Sequence, residues 1–452
     1  MITIRRTACA AAIALAASWG APSSAQDAAA VAEELARMRA QMAAMASRID
    51  TLEAQLAAAR AEPVAPRTPP PRDAPPKAEA ETRIAFKGAP EITGKGGWSF
   101  KPRGRLQMDA GFVDAPEATG RPDGFGSTIR RARLGAQGEM PGGFGYRFEV
   151  DFAGDAVTLT DAYLTYAAGD LTVTVGQHNN FQSLEELTSS LHSSFIERAA
   201  FTDAFGFERR LGVSAEYETG DLLLQAGAFG DNNGSLPSGN LGFDGRLVYA
   251  PRLGAGRLHL GASIHHYAID AAGSTVRYRQ RPLVAFTGER FINTGAIGAK
   301  GERGYGLEAA FIRGPLHLAG EAFWQRVDRP GALADPTFFG GYAEAGLFLT
   351  RGDTRGYDGG EFARVKPKNP VGKGGFGAVQ VNLRYDYLDL IDAGIVGGRQ
   401  DGFQAGLSWM PTDYTKLMLN YGHLRYGDAA VPAGARRDYA VDVLGLRAQI
   451  DF

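Results

Sequence analysis

LGLRAQIDF, residues Leu444 to Phe452, is the stretch that decides the fold, because its apolar and non-apolar side chains alternate up to a final aromatic residue. Successive side chains of a strand point to opposite faces of a sheet, so one face carries Leu444, Leu446, Ala448, Ile450 and Phe452. The other face carries Gly445, Arg447, Gln449 and Asp451. Such a strand, with no polar tail behind it, belongs at the closing seam of a sheet. In a secreted chain it predicts a β-barrel of the bacterial outer membrane.

The amino end has the pattern of a secretory signal peptide. Arg5 and Arg6 form a short positive region, Ala8 to Ala17 is apolar, and small residues precede Gln26. We therefore expect residues 1–25 to be removed from the mature protein. Because Cys9 is the only cysteine, the mature chain is expected to contain no thiol and no disulfide.

Composition narrows the class further. Glycine accounts for 60 of the 452 residues, about twice its usual ~7% frequency. Beyond the signal region no apolar run approaches the ~18 residues that a membrane helix requires, which excludes a helical membrane protein. A transmembrane barrel is compatible with this hydropathy, because only alternate residues of each strand face lipid. The formal net charge of -2 implies no attraction to nucleic acid or any other polyanion.

Residues 26–62 have the spacing of a coiled coil. Apolar residues recur at alternating gaps of four and three, at Val31, Leu35, Met38, Met42, Met45, Ile49, Leu52 and Leu56. Such a stripe would expose an apolar seam if it stood alone, so the segment predicts self-association in the periplasm. A lone amphipathic helix packed on the barrel is the alternative.

Residues 63–97 are predicted to be a linker, and residues 98–452 a barrel domain. Seven prolines lie between Pro63 and Pro76, a composition typical of an extended, semi-rigid spacer. From Trp98 onward the remaining residues suffice for about 16 strands at about 22 residues per strand and connection. The fold class is thus all-β, a transmembrane antiparallel barrel with an N-terminal helical coiled-coil extension.

Alternation recurs within the predicted barrel. It is clear in Phe403–Trp409, Leu417–Tyr421 and Leu171–Val175, and less regular in Leu222–Ala228 and Leu258–Tyr267. These segments predict strands with one face toward lipid and the other toward the lumen. The glycine-rich stretch Arg351 to Gly377 predicts a loop.

Arginines at alternate positions are the strongest functional feature. Arg277, Arg279 and Arg281 share one face of an extended segment, which cannot face lipid because each cation would cost about 2–4 kcal/mol at the bilayer midplane. The row therefore lines the lumen as a ladder that guides anions, or lies in an extracellular loop. Both possibilities stay open.

A second basic group occurs in the first predicted strands. Lys101, Arg103 and Arg105 share one face, and Arg130, Arg131 and Arg133 follow after a turn. Strict alternation cannot place two adjacent arginines inside, so one of Arg130 and Arg131 is expected at the rim or at a bulge. Arg447, on the non-apolar face of the closing strand, would add to the same positive lumen.

A long loop is predicted between these regions. Ser183-Leu184-Glu185-Glu186 has the form of a capping box, which predicts a short helical turn within residues 184–198. A loop of this kind early in a porin commonly folds into the pore. Its hydroxyl side chains, Ser190 among them, could contact a passing solute.

Catalytic motifs are not apparent. Gly372, Gly374 and Gly377 satisfy G-x-G-x-x-G, but a strand pattern follows where a dinucleotide site needs a helix. The seven histidines show no metal-ligand spacing, and no G-x-S-x-G nucleophile elbow occurs. We predict no catalytic residue, no cofactor and no metal.

The order of short motifs resembles the phosphate-selective porin O and P family. The resemblance rests on Trp98-Ser99-Phe100-Lys101, Gly104-Arg105-Leu106-Gln107, Arg130-Arg131-Ala132, Asp161-Ala162-Tyr163-Leu164, Leu184-Glu185, Thr188-Ser189-Ser190, Glu197-Arg198, the Arg277 row, Lys366-Pro367 and the strands from Arg384-Tyr385. It covers residues 98–452. It implies a sixteen-stranded homotrimeric barrel with an arginine ladder that leads to a constriction.

The resemblance also implies roles for individual residues. Arg277, Arg279 and Arg281 correspond to the ladder, and the residues of the constriction are Arg105, Arg130, Arg131, Asp161 and Arg198. Arg133 stands where members of the family carry an aromatic residue, and Ser190 belongs to the constriction loop. In phosphate-binding members that loop carries lysines, whereas residues 184–191 here contain none. General anion preference therefore remains the expectation, and a high-affinity phosphate site does not.

We predict an outer-membrane porin, not an enzyme, through which small anions such as phosphate diffuse passively. The expected partners are small anions, outer-membrane lipid, the barrel-assembly machinery through Leu444–Phe452, and further copies in a homotrimer, with no nucleic acid. The alternatives are a weakly selective general porin and a barrel-anchored envelope tether that uses the coiled coil. An outer-membrane enzyme is disfavoured because no nucleophile arrangement is present.

Overall fold

The structure is a computed structural model that describes residues 82–452 except 232–238 and 271–272, together with isolated helical positions 43, 47, 51 and 54. The predicted signal peptide, the eight apolar positions of the predicted coiled coil and the proline-rich stretch lie outside the described residues. Within the described part, no helix has the length and apolar character needed to cross a bilayer.

Sixteen antiparallel strands form a closed barrel. They are β3 (Ser99–Asp114), β4 (Gly124–Met140), β5 (Phe144–Asp151), β6 (Thr158–Ala168), β7 (Leu171–Asn179), β8 (Arg209–Thr219), β9 (Leu222–Phe229), β10 (Leu241–Tyr249), β12 (Gly256–Ala268), β17 (Gly301–Arg313), β18 (Leu316–Asp328), β19 (Thr337–Phe348), β22 (Ala378–Asp392), β23 (Ile395–Thr412), β24 (Thr415–Gly427) and β25 (Tyr439–Asp451). The last strand pairs with the first, from Asp442 opposite Asp114 to Asp451 opposite Arg105. The predicted all-β barrel of about 16 strands is confirmed.

The remaining elements are short. They comprise β1 (Arg83–Lys87), β2 (Ala89–Thr93), β11 (Arg252–Leu253), β13 (Thr275–Val276), β14 (Arg279–Gln280), β15 (Ile292–Asn293), β16 (Ile297–Gly298), β20 (Gly356–Asp358), β21 (Glu361–Ala363), α1 (Leu184–Leu187), α2 (Ala200–Phe205) and single turns of 3₁₀ helix at Lys95–Gly97 and Glu117–Thr119. The β1–β2 hairpin lies within the segment treated as a linker from its sequence. The predicted loop Arg351–Gly377 contains the small β20–β21 hairpin.

The closing strand shows the alternation from which the fold was predicted. Leu446 and Ile450 are half exposed on the outer wall of β25, whereas Arg447 is only 2% exposed inside the barrel. The other segments with predicted alternation lie in β7, β9, β12, β23 and β24. An apolar outer face and a polar inner face are what a lipid-embedded barrel requires.

The two ends of the barrel differ. The end that contains Ser99 and Phe452 has mostly short turns, such as 141–143 and 169–170, and we call it the turn end. The opposite end has longer connections, such as 180–208 and 269–300, and we call it the loop end. In outer-membrane barrels short turns face the periplasm and long loops face outward.

Three connections fold into the barrel and fill part of it. They are residues 180–208 and 269–300 from the loop end and residues 349–377 from the turn end. Phe201 of α2 stacks against Phe323 of β18 and Tyr342 of β19, with ring centroids 5.9 and 6.4 Å apart. Gly340 makes this close approach possible, because a Cβ there would lie 2.4 Å from Cβ of Phe201. The interior beside β17–β22 is therefore packed, and open space remains beside β3–β9.

Candidate functional site

The open part of the lumen is a cavity of about 720 Å³ bounded by β3–β9 and the three infolded connections. Its lining includes ten arginines, Arg103, Arg105, Arg130, Arg131, Arg133, Arg147, Arg198, Arg209, Arg281 and Arg364. It also includes seven carboxylates, Asp161, Glu186, Glu197, Asp203, Glu208, Glu216 and Glu361. Positive charges thus outnumber negative ones along this surface.

Residues 180–208, which we call the constriction loop, begin with the predicted capping box. The Ser183 hydroxyl accepts a hydrogen bond from the Glu186 backbone N–H at 3.3 Å, and α1 follows. The helical region extends beyond the prediction, since α2 forms a second short helix at Ala200–Phe205. Ala200 N donates to Asp386 of β22 at 2.9 Å, which anchors the start of α2 to the wall.

Wall side chains hold the backbone of the constriction loop in place. Both carboxylate oxygens of Glu321 on β18 accept bonds from the loop, from Leu184 N at 2.9 Å and Glu185 N at 2.7 Å. On the opposite wall, Gln107 of β3 and Gln449 of β25 donate to the carbonyl oxygens of Ser190 and Leu191, each at 3.1 Å. These contacts fix how far the loop projects into the lumen.

The two glutamates of the capping box point in different directions. Glu185 is buried and pairs with Arg384 at 2.8 Å, so it does not line the cavity. Glu186 lines the cavity and pairs with Arg198 at 3.1 Å. Burial raises the pKa of Glu186, and Arg198 opposes this shift. Only one of the two carboxyl groups is therefore placed to act on a solute.

Arg105 and Arg133 meet at the constriction around one carboxylate. Arg105 Nη2 lies 3.1 Å from Glu149 and Arg133 Nη1 lies 2.9 Å from it. Arg133 also pairs with Asp151 at 2.7 Å, and Arg105 donates to the Ser190 hydroxyl at 3.1 Å. The structure thus brings together three predicted pore residues, Arg105, Arg133 and Ser190. Glu149 and Asp151 balance much of the charge of the two arginines.

A β-bulge places both Arg130 and Arg131 inside the barrel. The pairing register of β3 with β4 shifts between Gln107 and Met108, where Arg131 and Ile129 are the partners and Arg130 is the extra residue. Both arginines consequently line the cavity. Of the two places expected for one member of this pair, the rim or a bulge, the bulge is the one observed.

Among the described residues, Arg131 and Arg103 differ from the neighbouring arginines in that neither has a carboxylate partner. Arg130 makes a two-bond pair with Glu197, at 2.8 and 3.1 Å. Arg131 instead donates to the Gln107 side-chain oxygen at 2.9 Å, and Arg103 donates to Gln137. Within the described chain, neither Arg103 nor Arg131 forms an ion pair within 4.0 Å. Both arginines thus line the cavity with a charge that no direct carboxylate contact in the described chain balances.

Asp161 and Arg198 both lie at the cavity. Asp161 pairs with Arg147 of β5 at 2.8 Å and with Arg209 of β8 at 2.5 Å, so it bridges two strands that flank β6 and β7. Arg198 donates to the carbonyl oxygens of Glu185 and Glu186, both at 2.8 Å, in addition to its ion pair with Glu186. Arg198 therefore shapes the loop as well as charging the cavity.

The predicted ladder lies in the connection 269–300 and not on a strand of the barrel wall. Arg281 lines the cavity and pairs with Asp203 of α2 at 3.3 Å. Arg277 and Arg279 are exposed at the loop end outside the cavity lining, and Arg277 donates to Asn293 at 3.1 Å. The row therefore occupies the loop position that was one of the two possibilities for it.

Arg447 does not extend the positive lumen as expected from its strand face. It is buried, pairs with Asp109 at 2.7 Å and Glu197 at 3.1 Å, and is absent from the cavity lining. The alternation correctly placed it inside the barrel. Its neutralisation depends on partners in β3 and the constriction loop, which alternation does not report.

Several cavity residues had no predicted role. Arg147 is at an inward position of β5, and its alternation with apolar neighbours could have indicated it. Arg209 has the same strand parity as the outward Leu211 and Val213 and reaches the cavity from the end of β8, so alternation did not indicate it. Arg364 comes from the connection 349–377 and pairs with Asp451 of β25. No periodic pattern surrounds it, so its place in the lumen had no signal in the sequence.

A second cavity, of about 390 Å³, leads toward the turn end. It shares Arg103, Arg105, Leu191 and Arg364 with the first cavity and adds Lys87, Lys101 and Lys366. His192 of the constriction loop lines the first cavity, close to Arg364 and Arg105. Burial, followed by the charges of Arg364 and Arg355, lowers the pKa of His192 to about 3. His192 is therefore neutral at physiological pH.

The described residues contain no group of three or more histidine, cysteine, aspartate or glutamate side chains arranged to hold a metal ion. The cavities instead combine an excess of guanidinium and ammonium groups with carboxylate, hydroxyl and amide side chains. This chemistry suits reversible contact with an anion.

Comparisons with known proteins agree with the fold. An uncharacterized protein of Caulobacter vibrioides is 49% identical over 402 residues, which are 86% of this chain and 80% of that protein. Among solved structures, an anion-selective porin from Comamonas acidovorans is similar with a TM-score of 0.52 and 14% identity, over 78% of this chain and 100% of that one. Pseudomonas putida OprB is similar with a TM-score of 0.51 and 13% identity, over 79% of this chain and 94% of that one. At these identities the two structures show a shared fold alone.

The model of the family described as phosphate-selective porin O and P matches residues 100–452. This range includes every strand of the barrel except the first residue of β3. The fold and the family point to an outer-membrane channel and not to an enzyme. Because short turns of such barrels face the periplasm, the turn end is the periplasmic end and the loop end is the outer end. The chain belongs to the phosphate-selective porin O and P family.

Proposed function

We propose that this porin lets small anions such as phosphate cross the outer membrane passively, with a preference set by the arginines of its lumen. The observation that carries the proposal is the pair Arg131 and Arg103, which face the cavity without a carboxylate within 4.0 Å in the described chain. An arginine keeps its charge at any physiological pH and presents donors in a planar fork that suits oxyanions. The family description, phosphate-selective, supports the same class of solute.

The cationic residues suggest a route for the anion. Arg277 and Arg279 are exposed at the outer end, and Arg281 begins the cavity lining. Arg131 follows at the constriction, and Arg103 continues toward the periplasmic end. Along this route, hydrogen-bond donors of successive arginines would replace part of the hydration shell of the anion, so that the distance it crosses without a partner stays short.

The balance of charges favours passage over tight binding. Most cavity arginines already pair with carboxylates, so an anion competes with Glu149, Glu197 or Asp161 for their donors. The constriction segment 184–191 has no lysine to add charge. Conduction requires binding that is favourable but weak, and this arrangement fits that requirement. We accordingly expect anion preference without a high-affinity phosphate site.

The reversal potential across a planar bilayer in a KCl gradient tests the proposal. We expect wild type to show a chloride-preferring potential, and Arg131→Gln to move it toward zero because it removes an unpaired lumen charge. Arg399→Gln is the matched control, since Arg399 is half exposed and pairs with Asp428 at the loop end. A cation-preferring potential in wild type would contradict the proposal, and a potential near zero would favour the weakly selective general porin.

We further propose that copies assemble as a homotrimer, with the coiled coil of residues 26–62 in the periplasm. The heptad spacing of Val31 to Leu56 supports self-association. Native mass spectrometry of the protein in detergent, with and without residues 26–62, measures the number of copies. Loss of the trimer on deletion would assign assembly to this segment, and a monomer in both proteins would contradict the proposal.

A further inference from the structure

The hairpin β1–β2 extends the barrel wall at the periplasmic end. β2 pairs with the start of β3, with Ile92 opposite Phe100, and β1 pairs with β2, with Ile84 opposite Ile92. The turn of the hairpin packs against the β23–β24 turn, where a Cβ on Gly88 would lie 2.4 Å from the Tyr414 ring. The hairpin therefore continues the sheet beyond the periplasmic end of β25, where β2 takes the place of β25 beside β3.

One face of this hairpin is apolar and exposed. Directly paired residues lie on the same side of a sheet, which places Ile84, Ile92 and Phe100 in one row and Phe86 beside Pro90 in the next. Phe86 is 79% exposed and Ile84 is 58% exposed. These are the largest exposed fractions among the apolar side chains of the hairpin.

The apolar face continues the lipid-facing surface of the barrel. Along β3 every second residue faces outward, so Phe100 is on the same side as the exposed Met108 and Phe112. The opposite side of the hairpin carries Lys87, which lines the periplasmic cavity with Lys101. The inside–outside alternation of the barrel is thus kept in the hairpin.

The neighbouring residues have the character of a membrane–water interface. Trp98 is half exposed just before β3, and Trp409 stacks on Phe376 with ring centroids 5.0 Å apart. Aromatic side chains of this kind form the girdles of outer-membrane barrels. The hairpin lies beside this girdle at the periplasmic end.

The charge of the segment is predominantly positive. Residues 82–101 contain Arg83, Lys87, Lys95 and Lys101, and Glu91 is their one carboxylate. Lys87 pairs with Glu91 at 2.9 Å. Arg83, Lys87 and Lys101 are at odd positions, on the side of the sheet opposite the apolar row, and Lys87 and Lys101 line the periplasmic cavity. The hairpin therefore has a basic side toward the cavity and an apolar side toward the outside.

We propose that the β1–β2 hairpin is an interfacial foot, which inserts Ile84, Phe86, Ile92 and Phe100 into the acyl region of the periplasmic leaflet. This surface contacts lipid and takes no part in conduction. It stands apart from the proposed anion route, because the apolar row faces away from the lumen.

Site-directed spin labelling tests the foot in the full chain, with Cys9 replaced by serine and the protein reconstituted in vesicles of phosphatidylethanolamine and phosphatidylglycerol. A nitroxide at Phe86→Cys is compared with one at Ala85→Cys, the adjacent position on the opposite face. We expect oxygen to relax the label at position 86 while a water-soluble nickel reagent does not. At position 85 the nickel reagent should be the more effective of the two.

Two outcomes would overturn the proposal. Equal nickel accessibility at positions 85 and 86 would mean that the hairpin stands in water. Dipolar broadening at position 86 with exclusion of both reagents would assign the face to a second copy. Ile84→Cys, on the same face, replaces Phe86→Cys if that variant does not fold.

Discussion

Arg447 on the last strand of the barrel forms a two-bond ion pair with Asp109 on the first, with both N–O distances at 2.7 Å. The two residues are direct partners in the β25–β3 register, and neither side chain is accessible to solvent. Glu197 of the constriction loop approaches the same guanidinium at 3.1 Å. The same arginine therefore contacts the first strand, where the barrel closes, and the constriction loop inside the barrel.

Loss of this arginine should destabilise the closed barrel strongly. Arg447→Met leaves Asp109 buried without its partner, and breaking a buried pair in this way costs about 3–5 kcal/mol. The temperature at which the folded band disappears in gel electrophoresis should fall markedly. Arg399→Met is the control, because its half-exposed pair with Asp428 is worth about 1 kcal/mol or less. Equal effects of the two substitutions would show that the seam does not depend on Arg447.

The sequence predicted the barrel because a single physical rule, alternation across a lipid-exposed sheet, acts in every strand. The same rule predicted one shared face for Lys101, Arg103 and Arg105, and it left open which of Arg130 and Arg131 faces the lumen. The pairing of these arginines depends on register across several strands, as when Arg105 of β3 meets Glu149 of β5. No local pattern contains that information. The contributions of Arg364 and of the β1–β2 hairpin were missed because neither lies in a segment long enough to show a period.

Loosening the constriction loop should enlarge and destabilise the open channel. Glu321→Gln replaces one carboxylate oxygen by an amide nitrogen, which cannot accept from Leu184 N or Glu185 N. We expect a higher single-channel conductance with more current noise. Glu117→Gln, in an exposed loop, should leave both quantities unchanged. A quiet channel of wild-type conductance in Glu321→Gln would mean that other anchors hold the loop.

Anion preference should increase as the pH falls through neutrality. Glu361 lines the cavity from the connection 349–377, which lies outside the membrane-spanning strands. Burial raises the pKa of Glu361 to about 7, an effect opposed by Arg246 and reinforced by Glu216. Above that pH the ionised carboxyl adds a negative charge to the lumen, and below it this charge is lost.

The reversal potential measured between about pH 8 and pH 6 checks this titration, since a group with this pKa changes charge over that interval. Wild type should become more anion-selective toward the lower pH. Glu361→Gln should have the stronger anion preference at about pH 8, should nearly match wild type at about pH 6, and should therefore depend less on pH. A wild-type pH dependence retained in full by Glu361→Gln would assign the titration to another group.

The exposed arginines of the outer loop should affect the rate at which anions enter the channel more than they affect its selectivity for anions. Arg277→Gln with Arg279→Gln removes two charges that attract anions before they reach the cavity. Salt screens such an attraction, with a Debye length of about 10 Å at 0.1 M and about 3 Å at 1 M. Conductance should therefore drop at low salt and match wild type at high salt. Arg252→Gln with Arg313→Gln, exposed at the periplasmic end, is the matched control, and an equal loss there at low salt would refute the role of the outer pair.

The ring of Phe452 should keep its position only if residue 104 has no side chain. The two residues exchange backbone hydrogen bonds of 3.1 and 3.0 Å, and a Cβ on Gly104 would lie 2.1 Å from the Phe452 ring. Gly104→Val should displace the ring, cost about 1–3 kcal/mol as overpacking does, and reduce the yield of folded barrel. Gly288→Val, where a Cβ meets nothing within 4 Å, should be neutral. If the ring causes the loss, Phe452→Ala should cost less in the Gly104→Val background than in wild type. Strictly additive losses in the heat-modifiability assay would instead show that the two positions act independently.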